Sequence, residues 1–161
     1  MKVYIKNKFM SLGDSSTVVD ENKNPLFKVK GKIFSITRKK KIKDMSGKTL
    51  YTVRNKWLNF FSHKAFIYDE NKVKIATVKD KWINVKKEYF IEGMGDEIKI
   101  EGKFFSLTCQ ILKNGETIGT IRRKLDMWVD SFELEANEKD IPFLIALVIA
   151  IDNISDKKQD G

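Results

Sequence analysis

Cysteine, histidine and proline are almost missing from this 161-residue chain, which carries one, one and two of them. The single cysteine, Cys109, excludes an intrachain disulfide, and the Met-Lys-Val-Tyr start lacks an apolar leader; a cytoplasmic protein is expected. Cys109 sits in a strand-like run, Ser-Leu-Thr-Cys-Gln-Ile, where a cysteine acts as a small buried hydrophobe rather than a nucleophile. The one histidine, His63, leaves any His-based triad a single candidate base, in a turn after Phe60-Phe61-Ser62, with no partner that the sequence nominates. Two prolines and 42% hydrophobic residues exclude a disordered chain. No apolar run approaches the about 20 residues of a membrane-crossing helix. There is no Gly-rich phosphate loop, no CxxC pair and no HExxH helix. Carboxylates are numerous, but most fall in turns, where capping of backbone amides explains them. No enzymatic activity and no cofactor are therefore expected. What the chain does have is positive charge: 31 Lys and Arg against 22 Asp and Glu, a formal net charge of +9. That balance suits an anionic partner, although charge of this size also serves solubility.

One stretch has no polar side chain at all, residues 141–151, Ile-Pro-Phe-Leu-Ile-Ala-Leu-Val-Ile-Ala-Ile. At 100° per residue its large side chains cover every face, so a helix here must be enclosed. It is about half the length that would span a bilayer, so the enclosure has to be protein. Glu138 and Asp140 stand where the positive end of a helix dipole favours anions, and Pro142 fits a first turn that needs no amide donor. A central buried helix over about 139–153 is predicted.

From Lys2 to about Glu135 the chain reads as antiparallel β, in short alternating runs rich in Val, Ile, Phe, Tyr and Thr. An internal repeat supports this. DENKNPLFKV at 20–29, DMSGKTLYTV at 44–53 and DENKVKIATV at 69–78 share an Asp, a polar turn, and a Val two residues after an aromatic or Ala. A fainter copy, KNGETIGTI, lies at 113–121. Each reads as strand, turn, strand, with the Asp or Asn bonding turn amides. Strands are expected near 2–6, 8–12, 15–20, 25–31, 32–38, 40–44, 48–56, 64–69, 72–80, 87–92, 97–102, 104–112, 117–124 and 130–136. Roughly a dozen strands are too many for a flat open sheet, and closure removes the edges. A barrel that wide cannot be filled by its own inward side chains, because eight strands already leave just enough room. The apolar helix is the natural plug. The expected fold is mainly β, a closed antiparallel barrel of about twelve strands around a central hydrophobic C-terminal helix. It forms a single domain over 1–154, followed by a polar tail at 155–161.

Several segments also carry a family resemblance. The hairpin at 20–29, Glu101-Gly102-Lys103-Phe104-Phe105, Ile118-Gly119-Thr120-Ile121-Arg122-Arg123-Lys124, Asp130-Ser131-Phe132-Glu133-Leu134, and Asp140 followed by Ala146-Leu147-Val148-Ile149-Ala150-Ile151-Asp152 resemble the LURP-one-related family, including its small bacterial members. The resemblance extends from Val3 to Asp152. It implies a barrel like that of the tubby C-terminal domain and of phospholipid scramblases, twelve strands around a hydrophobic helix. It implies no assigned role.

The basic residues are the best functional signal. Arg38, Lys39, Lys40 and Lys41 with Lys43 form one cluster, Arg122, Arg123 and Lys124 a second, and Lys79, Lys81, Lys86 and Lys87 a third. Strand alternation lets Lys39, Lys41 and Lys43 share one outer face. The resemblance to tubby barrels implies that a phosphoinositide-type headgroup site would be sought among these clusters. The expected role is a non-enzymatic binding module, peripheral to the membrane and monomeric, contacting anionic lipid headgroups. The alternatives are a protein partner on a structural scaffold, or nucleic acid, with Trp57, Trp82 and Trp128 as stacking platforms. No metal is expected. The weak candidates are Asp126, Asp130 and Glu133, which resemble the calcium-associated segment of scramblases but lack a dense ligand pattern.

Overall fold

The three Asp-led repeat units fold into one and the same turn. In each, the Asp carboxylate accepts the backbone N–H four residues on, from Asn24, Lys48 and Val73, at 2.8 to 2.9 Å. The Asp N–H donates to the carbonyl of that same residue at 3.0 Å. The third residue after the Asp is left-handed, with φ of +65° at Lys23, +93° at Gly47 and +64° at Lys72, and its N–H returns to the Asp carbonyl at 3.1 Å. A bulge just before each Asp, at Val18/Val19, Ile42/Lys43 and Ile67/Tyr68, absorbs the extra residue. The faint fourth unit is a different turn. Asn114 and Gly115 both have positive φ, +52° and +85°, as a two-residue hairpin requires.

These turns link twelve strands in a computed structural model that describes residues 1–6, 15–31, 35–56, 63–83, 86–93, 95–102, 108–124 and 131–156. They are β1 (Lys2–Lys6), β2 (Ser15–Asp20), β3 (Pro25–Gly31), β4 (Lys40–Asp44), β5 (Thr49–Asn55), β6 (Lys64–Tyr68), β7 (Lys74–Ile83), β8 (Lys86–Glu92), β9 (Ile98–Gly102), β10 (Thr108–Lys113), β11 (Glu116–Lys124) and β12 (Ser131–Ala136). Each pairs antiparallel with its chain neighbour, and β1 pairs with β12, from Lys2 opposite Glu135 to Lys6 opposite Ser131, which closes the barrel. The Met1 amino group donates to the Ala136 carbonyl at 2.7 Å across that seam. Two expected strands are not among these twelve. The 8–12 run lies outside the described residues. The 32–38 run does not form a strand over its described part: Ser35 starts a turn in which the Arg38 N–H returns to its carbonyl at 2.9 Å, and Arg38 is left-handed at φ +46°.

The helix α1 (Ile141–Asp156) follows a short 3-10 turn at Glu138–Asp140, starting two residues later and running three further than the pattern indicated. Sixteen residues give about 24 Å of helix, enough to run from one rim of such a barrel to the other. Between Leu144 and Ile151 every residue is fully buried. The wall facing it is built from alternate strand positions, mostly β-branched: Val3 and Ile5, Val18, Val29, Ile42, Val53, Ile67, Val78, Ile111, Ile121 and Leu134. β-Branched residues suit this wall because their stiff side chains pack well on a pleated surface. At the entry rim Tyr51 meets Phe143 edge to face at 6.1 Å. At the exit rim Asn55 Nδ2 donates to the Asn153 carbonyl at 3.0 Å, and Asn153 Nδ2 to the Arg38 carbonyl at 3.1 Å, which ties the helix end to the turn before β4. Among the described residues no helix is long and apolar enough to cross a membrane.

Candidate anion-binding surface

On β3 and β4 one side chain in two points at the helix and the next points out. Val29 and Ile42 are buried, whereas Lys28, Lys30 and Lys41 are exposed and Lys43 is half-exposed. The register sets these cations against each other: Lys28 lies opposite Lys43, and Lys30 opposite Lys41. Directly opposed like charges weaken a sheet. Among the described residues, none of the four has a carboxylate partner within 4.0 Å. Two of them, Lys28 and Lys30, were not singled out in the sequence. Their signal is the Lys-Val-Lys alternation at the end of the first repeat unit. Lys40, by contrast, is only 9% exposed and lies on the inward-facing register, opposite Val53, so it leaves the outer face. Arg38 stays on the turn, half-buried.

The same face continues onto β5 and β6 as a cleft of 280 Å³. Lys39, Lys41, Arg54 and Lys72 line it together with Thr49, Thr52, Tyr68, Asp69 and Glu70. Register brings three of these together, since Lys41, Thr52 and Tyr68 stand opposite one another across three strands. The Lys39 main chain is fixed by its N–H, which donates to Ser35 Oγ at 2.9 Å. Arg54 is fixed by Tyr68. Its Nε and Nη2 donate to Tyr68 Oη at 3.0 and 2.7 Å, and its guanidinium carbon lies 4.6 Å from the Tyr68 ring centroid. Of the two carboxylates in the lining, Asp69 caps its own turn amide and Glu70 pairs with Lys48.

The β11 cluster is electrostatically different. Arg122 Nη1 lies 2.9 Å from Glu133 Oε1 and 3.6 Å from Glu135 Oε2, and Lys124 Nζ is 2.8 Å from Glu133 Oε2 and 5.6 Å from the Tyr4 ring centroid. Glu133 itself is 4% exposed. Burial pushes its carboxyl up, but the bonds from Lys124 and Arg122 outweigh that and hold it below its ordinary value. Arg123 is half-buried, on the alternate register opposite Phe132. Of the three candidate metal ligands, Glu133 is thus bonded to two cations, and Asp126 and Asp130 lie outside the described residues. Among the described residues no three His, Cys, Asp or Glu side chains come together as a metal site would need. In the third cluster Lys79 is paired with Glu92 at 2.5 Å, and the side chains of Lys81, Lys86 and Lys87 lie outside those described. So do those of Trp57, Trp82 and Trp128.

The profile of the LURP-one-related family matches residues 1–152. The chain belongs to the LURP-one-related family. A relative from Bacillus subtilis (strain 168), the uncharacterized protein YxjI, is 26% identical over 162 residues, covering 99% of this chain and 97% of that protein. The X-ray structure of an Arabidopsis thaliana protein resembles the barrel with a TM-score of 0.58 at 18% identity, over 94% of this chain and 91% of that one. At that identity the likeness concerns the fold alone.

This LURP-one-related barrel holds little that suits catalysis among its described residues. Burial pushes the Cys109 thiol up to about 12, so it carries almost no thiolate at neutral pH. His63 does have a neighbour that the sequence could not nominate, buried Asp80, whose Oδ2 is 4.0 Å from His63 Nδ1. That is beyond hydrogen-bond length.

Proposed function

We propose that this protein is a non-enzymatic module that docks on anionic phosphate surfaces, namely lipid headgroups, through the outer face of β3 and β4. The supporting observation is the pair of opposed lysine couples, Lys28 with Lys43 and Lys30 with Lys41, which carry no internal counter-charge among the described residues. Such a face is self-repelling when free and is relieved by an external anion. At about 1 kcal/mol per cation close to an anionic membrane, four lysines supply about 4 kcal/mol, enough for reversible contact and too little for permanent anchoring. The attraction is screened by salt, with a Debye length of about 8 Å at physiological ionic strength.

Vesicle flotation tests the reading. Binding to vesicles containing phosphatidylserine, its loss with neutral vesicles, and its decline as salt is raised are expected. A variant with Lys28, Lys30, Lys41 and Lys43 all changed to Gln should stay at the bottom of the gradient. Equal behaviour in anionic and neutral vesicles removes the proposal and leaves a protein-binding scaffold. A parallel titration with single-stranded DNA separates the nucleic-acid alternative, which requires tighter binding to DNA than to vesicles of matched charge.

A further inference from the structure

We infer that the cleft between β4 and β6 is a subsite for a phosphate monoester, gripped by Arg54 with Lys39 and Lys41. The inference rests on the docking proposal for the route to a membrane and adds to it a chemical preference that a diffuse lysine field cannot have. Four observations converge on it.

Lys39 in the turn before β4, Lys41 on β4 and Arg54 on β5 line one concavity with the Thr52 hydroxyl, and with Lys72 they make four cations against the two carboxylates of Asp69 and Glu70. Arg54 is pre-positioned by Tyr68, whose Oη takes two of its five N–H donors, which leaves three donors available. An arginine held for structural reasons alone would be expected against a carboxylate, and Asp69 and Glu70, both in the cleft wall, are bonded elsewhere. The cleft, at 280 Å³, lies just below the about 300 Å³ at which drug-sized sites begin, which suits a headgroup rather than a larger molecule.

Charge and geometry select the monoester. A terminal phosphate has its second pKa near 6, so at neutral pH it carries close to two negative charges and three acceptor oxygens. Those oxygens can take the arginine fork and both lysines at once. A diester offers one charge and two free oxygens, and leaves a cation unmatched. The ligand is either a lipid whose headgroup ends in phosphate or a soluble phosphate ester, and the two sources differ in experiment.

Wild-type protein and the variants Arg54→Gln, Arg54→Lys and Tyr68→Phe are compared on phosphatidic acid vesicles and on phosphatidylglycerol vesicles matched in surface charge. Glycerol phosphate is titrated in parallel, read by the NMR signals of Arg54 Nε and the Tyr68 ring, with sulfate as a dianion control. The expected result is a several-fold preference of the wild type for phosphatidic acid. That preference should fall to about one in Arg54→Gln and in Arg54→Lys, which keeps the charge but not the fork. Tyr68→Phe should reduce it through loss of positioning, with melting temperatures unchanged throughout. Equal wild-type binding to the two lipids, or a preference that survives in Arg54→Lys, overturns the cleft as a lipid site and leaves the lysine face untouched. If no anionic vesicle binds at all, the docking proposal fails. Saturable glycerol phosphate binding, stronger than that of sulfate and lost in Arg54→Gln, then assigns the cleft to a soluble ester, and its absence overturns the cleft as well.

Discussion

Replacing Arg122 and Lys124 together by Gln should weaken the fold while leaving vesicle attachment nearly intact, and replacing Lys41 and Lys43 by Gln should do the reverse. The first variant strips both cations from Glu133, whose two carboxylate oxygens they hold at 2.9 and 2.8 Å while the residue is 4% exposed. Stranding one member of a fully buried ion pair costs about 3 to 5 kcal/mol, and because the two partners here are half-exposed, about 2 kcal/mol is the expectation for Glu133. For a chain of this size that is about 4 to 8 °C in melting temperature. The loss has a pH signature. In the wild type the Glu133 carboxyl is held below its ordinary 4.5, so its stabilising share is present above about pH 4.5 and disappears as pH falls through the lowered value. Without its partners the carboxyl rises and protonates readily, so the melting gap between variant and wild type should narrow from pH 7 to pH 4. Lys41 and Lys43 face only lysines across the β3 register, so their removal should leave the melting temperature unchanged or slightly raised. At about 1 kcal/mol per cation near an anionic surface, attachment should weaken about 30-fold for the two. Thermal melts at three pH values and vesicle flotation at fixed salt measure both arms. A variant at Arg122 and Lys124 that melts like wild type yet no longer floats would refute the reasoning and move the binding surface to β11.

Gly93→Ala should cost about 3 kcal/mol or more, because at φ +112° the new Cβ would sit 2.3 Å from the Ile75 carbonyl oxygen, a backbone atom of β7 that cannot swing away. Gly47→Ala, with φ +93° and open space around it, should cost about 1 kcal/mol, as the lysines at the equivalent positions 23 and 72 indicate; equal chemical-denaturation midpoints for the two variants would contradict this. Ala146→Asp places a charge at a fully buried point of the helix with no route to water, and a soluble, cooperatively melting variant would count against the enclosed helix. Cys109, 3% exposed with its thiol pushed up to about 12, should react with a thiol reagent at pH 8 only as fast as the barrel opens, and rapid stoichiometric labelling of the native protein would be the contrary result.

The enclosed helix was legible in the sequence because eleven residues without a polar side chain admit no surface position, whatever the rest of the chain does. The hairpins were legible because an Asp that caps its own turn leaves the same local signature each time, at 20, 44 and 69. The 32–38 segment misled for a related reason: its Ile, Phe and Thr content suits a strand, but over its described part Ser35 caps a turn and Arg38 is left-handed, and neither leaves a glycine or proline to be seen. The charge map was not legible. Alternation says which face a lysine takes, but the residue opposite it depends on cross-strand register, which the bulges shift by one. Hence Arg122 and Lys124 proved to be matched by Glu133, Lys28 and Lys30 joined the face of Lys41 and Lys43, and Arg54 found Tyr68, fourteen residues on, only once β5 and β6 were set side by side.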